Sequence, residues 1–152
     1  MNWDSVLQNP LLQDLPFKIE LNKWGKLLLT PVNNKRGRSQ FEIGSLIDQK
    51  KNSGKIIMGC SIETTDGVKV ADVAWASDEF IQNHGYETPY KVAPEICVEI
   101  TSPSNSKGQI DEKIQLYLAK GAQEVWICDN EGVVSYFSHI GLLEQSEEII
   151  DS

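Results

Sequence analysis

Residues 95 to 129, EICVEITSPSNSKGQIDEKIQLYLAKGAQEVWICD, decide the fold. The segment opens on an alternating run in which Glu95, Cys97, Glu99 and Thr101 share one face and Ile96, Val98 and Ile100 the other. SPSNS interrupts that run, and from residue 107 to 120 Ile110, Ile114 and Tyr117 recur at helical spacing. Ser106 and Gln109 stand as a capping box at the start of this helix, and Gly121 stands at its stop. EVWICD then returns as a strand. Strand, helix and strand in this order predict a parallel, right-handed crossover.

Working outward, KIIMGCSIETTDGVKVADVAWAS, residues 55 to 77, holds two β-rich runs about Thr65-Asp66-Gly67, and Asp-Gly suits a turn that needs positive φ. An antiparallel hairpin beside a parallel crossover makes the sheet mixed. FKIELNKWGKLLLTP, residues 17 to 31, predicts an N-terminal β-hairpin turning near Asn22 to Gly25. NNKRGRS predicts a polar basic loop, and QFEIGSLIDQKK a helix with Phe41, Ile43, Leu46 and Ile47 as its stripe. Residues 78 to 94 hold no sustained period and predict loop with a helical turn, whereas VVSYFSH predicts another strand beyond the turn Asn130-Glu131-Gly132. No repeat, low-complexity tract or linker divides residues 1 to 152, so one α/β domain is expected, a mixed central sheet flanked by helices.

The 152 residues carry 14 Lys and Arg against 22 Asp and Glu, a formal net charge of −8. That balance argues against broad nonspecific affinity for nucleic acid, which depends on Lys and Arg displacing counterions, but leaves room for a local basic surface. No apolar run reaches the roughly 18 residues of a membrane span, and MNWDSVLQNP lacks a signal-peptide layout, so a cytoplasmic protein is expected. Cys60, Cys97 and Cys128 are odd in number and sit in apolar contexts, which favours buried free thiols over disulfides or zinc. The chain has no P-loop, GxGxxG or GxSxG, and its histidines are His84 and His139. The serines of TSPSNS suit a turn and a helix cap better than nucleophilic catalysis.

The candidate chemistry starts at VADVAWA, residues 70 to 76, where Asp72 is the sole charge and neither strand face is wet. A carboxylate there is costly unless it is paired, hydrogen-bonded or bound to a cation. The strand expected beside it carries Glu99 between Val98 and Ile100. Two carboxylates brought together repel or share a proton, and a divalent cation between them removes the conflict. Mg²⁺ suits such oxygen donors, and Lys113, on the helix that follows, supplies a cation for developing phosphoryl charge. Each residue alone has a plainer reading: Asp72 as a structural acid, Glu99 as a wet edge-strand residue, Lys113 as a solvated helix residue. Lys35, Arg36 and Arg38 before the first long helix and Lys50, Lys51 and Lys55 after it are candidates for DNA contact, or else a solvated surface.

VADVAWAS, APEICVEITSPSNS and DEKIQLYLAKGAQEVWICD, in that order and spacing, resemble the Uma family, described as restriction endonucleases, in the PD-(D/E)XK nuclease superfamily. The resemblance runs from about Lys55 to Tyr136, and more weakly through the N-terminal hairpin and helix. It implies a restriction-endonuclease-like α/β core, Mg²⁺ or Mn²⁺ as cofactor, and phosphodiester cleavage in DNA. By position it makes Asp72 and Glu99 the metal-ligating acids and Lys113 the catalytic lysine, displaced onto the following helix. Gln40 and Glu42 would support the site. Ala71 departs from the family's usual proline, and Thr101 from the superfamily's lysine two residues after the second acid. The chain ends at Ser152, where relatives commonly continue, so an edge strand or dimer contact is expected to be missing. By analogy, a nuclease that cuts both strands benefits from two-fold symmetry, which suggests a homodimer. The alternative is a nuclease-like binding or assembly module that keeps the fold without efficient catalysis.

Overall fold

The computed structural model describes residues 1–149. In chain order the elements are α1 (Trp3–Gln8), a 3₁₀ turn, β1 (Phe17–Leu21), β2 (Leu27–Pro31), α2 (Asn34–Lys51), β3 (Lys55–Thr64) and β4 (Gly67–Ala76). They continue with α3 (Asp78–His84), β5 (Ile96–Ile100), α4 (Lys107–Ala119), β6 (Glu124–Cys128), β7 (Val134–Ser138) and β8 (Gly141–Leu143). β3 to β8 make one sheet in sequence order, and β1 pairs with β2 in a separate antiparallel hairpin. Only β5 and β6 run parallel, joined through α4, so the predicted crossover forms and the sheet is mixed. Among the described residues no helix is long and apolar enough to cross a membrane.

Alternation in β5 sorts its residues as the sequence suggests, but neither face is wet. Cys97 packs with Val125, Ile114, Tyr117 and Leu118 on the α4 side. Ile96, Val98 and Ile100 pack with Trp126, Ile43 and Ile47 on the α2 side. Helices on both faces therefore bury β5 and β6 along their whole length, as parallel strands require. The Ser106 side chain accepts from the Gln109 N–H while the Gln109 side chain accepts from the Ser106 N–H, so the expected capping box starts α4.

Two expectations need correction. NNKRGRS is the first two turns of α2 rather than a loop: the Asn33 side chain accepts from the Arg36 N–H at 2.8 Å, capping a helix whose opening turns have no apolar stripe to announce them. Of the four residues expected in the α2 stripe, Ile43 and Ile47 are buried while Phe41 and Leu46 are exposed, because the contact is narrow and centres on Gly44 against Ile56, Met58 and Val73. Beyond β7, Tyr136 pairs with Leu143 in β8, which forms the edge of the sheet. The short α1 and α3 each hold too few residues for a periodic signal; α3 starts where the Ser77 hydroxyl accepts from the Phe80 N–H at 3.0 Å.

The β1–β2 hairpin is fastened to the start of β4. Leu21, Val68 and Val6 are buried together, with Trp3, Ile19 and Leu27 packed around them. The Lys23 N–H donates to Asp66 Oδ1 at 3.1 Å, tying the hairpin tip to the β3–β4 turn. Gly67 lies directly beneath, at φ +77°, and a Cβ there would meet the Leu21 carbonyl oxygen at 2.2 Å. Gly67→Ala is therefore expected to cost about 2 kcal/mol or more, combining left-handed backbone strain with a displaced hairpin. The urea midpoint measures this, and a midpoint equal to wild type would refute the close approach.

Candidate active site

Asp72 lies where β4 loses its regular pairing. The ladder couples Met58 with Val73 and Cys60 with Ala71, but not Gly59 with Asp72, and Gly59 takes φ +63°. Alternation resets at that kink: Ala71 and Ala74 both pack on the α4 side, whereas Val73 and Trp75 pack on the α2 side. The β4–β5 ladder runs from Trp75–Ile96 to Val73–Val98, and beyond it the Asp72 carboxylate takes the place of a strand partner. The Ile100 N–H donates to Asp72 Oδ2 at 2.7 Å. An acid that reads as having no wet face thus occupies the fork where two strands part, 2% exposed.

Cations from separate elements converge on Asp72 and Glu99. Lys18 of β1 places Nζ 3.2 Å from Asp72 Oδ1 and 2.9 Å from Glu99 Oε2. Lys113 of α4 lies 3.0 Å from Glu99 Oε1 and also pairs closely with Glu20 Oε2. The Tyr117 hydroxyl, one helical turn beyond Lys113, donates to Glu99 Oε1 at 2.6 Å. From α2, Gln40 Nε2 donates to Asp72 Oδ1 at 3.3 Å and an Arg36 guanidinium nitrogen lies 3.7 Å from Asp72 Oδ2. Glu20 is 2% exposed and also accepts from the Val70 N–H at 2.7 Å. The charges therefore alternate from Asp72 through Lys18, Glu99 and Lys113 to Glu20.

This order sets the protonation of the site. Burial pushes the Asp72 carboxyl upward and the Glu99 charge adds to it, against Lys18, the Ile100 N–H and Arg36. Burial acts the same way on Glu99, but there the ammonium groups of Lys113 and Lys18 and the Tyr117 hydroxyl prevail and hold it down to about 2. Burial would discharge Lys18, yet the Glu99, Asp72 and Glu20 carboxylates outweigh it and keep the ammonium charged.

The three residues singled out from the sequence, Asp72, Glu99 and Lys113, lie within one hydrogen-bonded cluster. Gln40 joins them as expected. Glu42 does not: it pairs with Arg38 at 2.7 Å on the exposed face of α2. Arg36, expected at a DNA surface, is 9% exposed and turned toward Asp72. The remaining basic residues of α2 make no single patch, since Lys35 and Arg38 stand about 20 Å along the helix from Lys50 and Lys51. Lys51 pairs with Glu148 at 3.3 Å and covers the Trp75 ring at 4.1 Å.

Lys18, Glu20 and Tyr117 also belong to the cluster, and no local pattern in the sequence points to them. Lys18 and Glu20 alternate with Phe17, Ile19 and Leu21, which is the signature of any solvated strand. The cations that front the site are Lys18, Lys26, Arg36, Lys69 and Lys113, all lining a cleft of about 430 Å³.

Asp72 Oδ1 and Glu99 Oε2 meet at one positive centre, the Lys18 ammonium, so the pair is built to share a cation. Both are hard oxygen donors, and Mg²⁺ commonly takes one or two carboxylates with water and substrate oxygens completing its shell. The residues fit such an ion. Among the described residues no group of three or more His, Cys, Asp and Glu is arranged to hold a metal.

The family model described as "Uma2: Putative restriction endonuclease" matches residues 4–146. None of the curated proteins matches the chain. A crystal structure described as that of "a putative nuclease belonging to DUF820 from Anabaena variabilis ATCC 29413" superposes with a TM-score of 0.67 at 22% identity, covering 84% of this chain and 73% of that one. At that identity the likeness shows the fold alone. The family match takes in the hairpin, α2, both acids and α4, so the chain belongs to the Uma2 family and carries a restriction-endonuclease-like α/β fold.

Proposed function

We propose that the protein is a divalent-metal-dependent DNA endonuclease that hydrolyses phosphodiester bonds. The observation that carries this reading is the convergence of Asp72 Oδ1 and Glu99 Oε2 on one cation position, with Lys113 beside the same glutamate. Membership of a family whose model is described as "Putative restriction endonuclease" supports nuclease chemistry.

Asp72 and Glu99 would hold the ion. When bound, Mg²⁺ or Mn²⁺ polarises the phosphoryl group and makes a water acidic enough to serve as nucleophile near neutral pH. The chain's own contribution is orientation and charge. The Ile100 N–H and Gln40 fix the Asp72 carboxylate, and Tyr117 fixes Glu99, so neither acid needs substrate to set its direction. Lys113 lines the cleft, where its ammonium orients the attacking water or stabilises charge building on the phosphoryl oxygens. Thr101 has no charge to offer two residues after Glu99, and α4 supplies it instead from 14 residues downstream of that acid. Lys26, along the same cleft, suits a flanking phosphate.

A second reading is favoured by Lys18. A lysine that satisfies both acids at once lets the site stand without metal, as a binding or assembly module that has lost efficient catalysis would require. Calorimetry separates the two, because the module reading expects no divalent-metal binding that depends on Asp72 and Glu99.

Cleavage of plasmid or branched DNA with Mg²⁺ or Mn²⁺ tests the enzyme. Asp72→Asn, which keeps the side-chain shape, is expected to lower the rate by about 10²-fold or more, and an unaffected rate would sink the mechanism. Lys113→Met is expected to lose a similar factor of about 10², since the lysine acts on the reacting phosphate. Full activity in that variant would remove Lys113 from the mechanism.

A further inference from the structure

We propose that Lys18 is a built-in counter-ion for Asp72 and Glu99, so that a divalent ion binds only by displacing it and metal loading is a cation exchange. This rests on the reading of Asp72 and Glu99 as the metal-holding pair, and adds a residue that controls access to them.

The oxygens decide the argument. Asp72 Oδ2 is engaged by the Ile100 N–H, and Glu99 Oε1 by Lys113 and Tyr117. The two oxygens that face a common point, Asp72 Oδ1 and Glu99 Oε2, are those Lys18 Nζ holds at 3.2 and 2.9 Å. A metal using both would need the space the ammonium fills. Lys18 and Glu99 line the cleft and Asp72 does not.

Charge makes the two cations alternatives rather than companions. With Lys18 in place the carboxylates of Asp72, Glu99 and Glu20 are balanced by Lys18, Lys113 and Arg36, so the cluster has no uncompensated charge left for a dication. Both together would leave an excess of positive charge beside Lys113 and Arg36, where low dielectric magnifies repulsion. Origin matters as well. The acids sit on the central sheet, but Lys18 comes from the separate β1–β2 hairpin on a four-carbon stem, so its head group can leave without moving β4 or β5. The cleft gives the displaced ammonium a place beside Glu20, which follows it by two positions on β1.

Mn²⁺ titrations followed by calorimetry on the full chain test the exchange, comparing wild type with Lys18→Met, Lys18→Gln and the double variant Lys18→Met/Asp72→Asn. Both single variants are expected to bind Mn²⁺ at least about tenfold tighter than wild type, with a larger metal-dependent rise in Tm, and the double variant is expected to lose that binding. Asp72-dependent binding of equal or lower affinity in Lys18→Met overturns the counter-ion and leaves the metal pair standing. Binding indifferent to Asp72, or no binding by any variant, overturns the metal pair and the counter-ion together. Should the variants fail to fold, the Lys18 ammonium resonance of wild-type protein, assigned against Lys18→Arg, gives a second measurement. It is expected to shift or broaden as saturating Mg²⁺ is added, and an unchanged resonance with Mg²⁺ bound overturns the proposal.

Discussion

Two carboxylates buried within reach of a single ammonium are the constraint around which this fold is arranged. Asp72 and Glu99 lie on adjacent strands, 2% and 6% exposed, and without cations they would repel one another in a medium that cannot screen them. Each surrounding element contributes to the solution. The hairpin brings Lys18, α4 brings Lys113 and Tyr117, and α2 brings Gln40 and Arg36. The kink at Gly59 and Asp72 opens the fork that admits them.

Glu124, another buried acid, sharpens the meaning of that arrangement. It is 2% exposed on β6, and its oxygens accept from the Trp126 indole, the Ser146 hydroxyl and the backbone N–H groups of Glu147 and Glu148. Those fixed neutral donors tie the segment after β8 to the sheet, and the acid has a structural task. Asp72 and Glu99 are instead satisfied largely by long cationic side chains from other elements. Buried ion pairs of this kind are weak evidence for stability, since desolvation offsets most of the attraction. The Lys18 and Lys113 side chains that satisfy them line the cleft.

Family membership and geometry describe the molecule at different levels. The family match covers nearly the whole described chain, and the fold likeness extends to a protein only 22% identical. Neither says which side chains touch. The hydrogen bonds do, and they bring in Lys18 and Glu20, on which neither the crossover pattern nor the acid spacing has any bearing.

What the sequence determined by itself was local and periodic. The alternation of Ile96 to Ile100, the Ser106–Gln109 box and the apolar spacing of α4 dictate a crossover, and Asp-Gly dictates the hairpin before it, because those patterns express backbone geometry within a few residues. Asp72 stood out because a charge amid apolar neighbours demands a partner wherever the strand lies. The identity of that partner was not legible. Lys18 and Asp72 are 54 residues apart, and Lys18 sits in a strand whose alternation would serve equally well in water. Only docking of the hairpin on Val68 and Gly67 turns Lys18 inward, and only the reset of alternation at Gly59 aims Asp72 to meet it, because both depend on which surfaces pack together and not on the period of either segment.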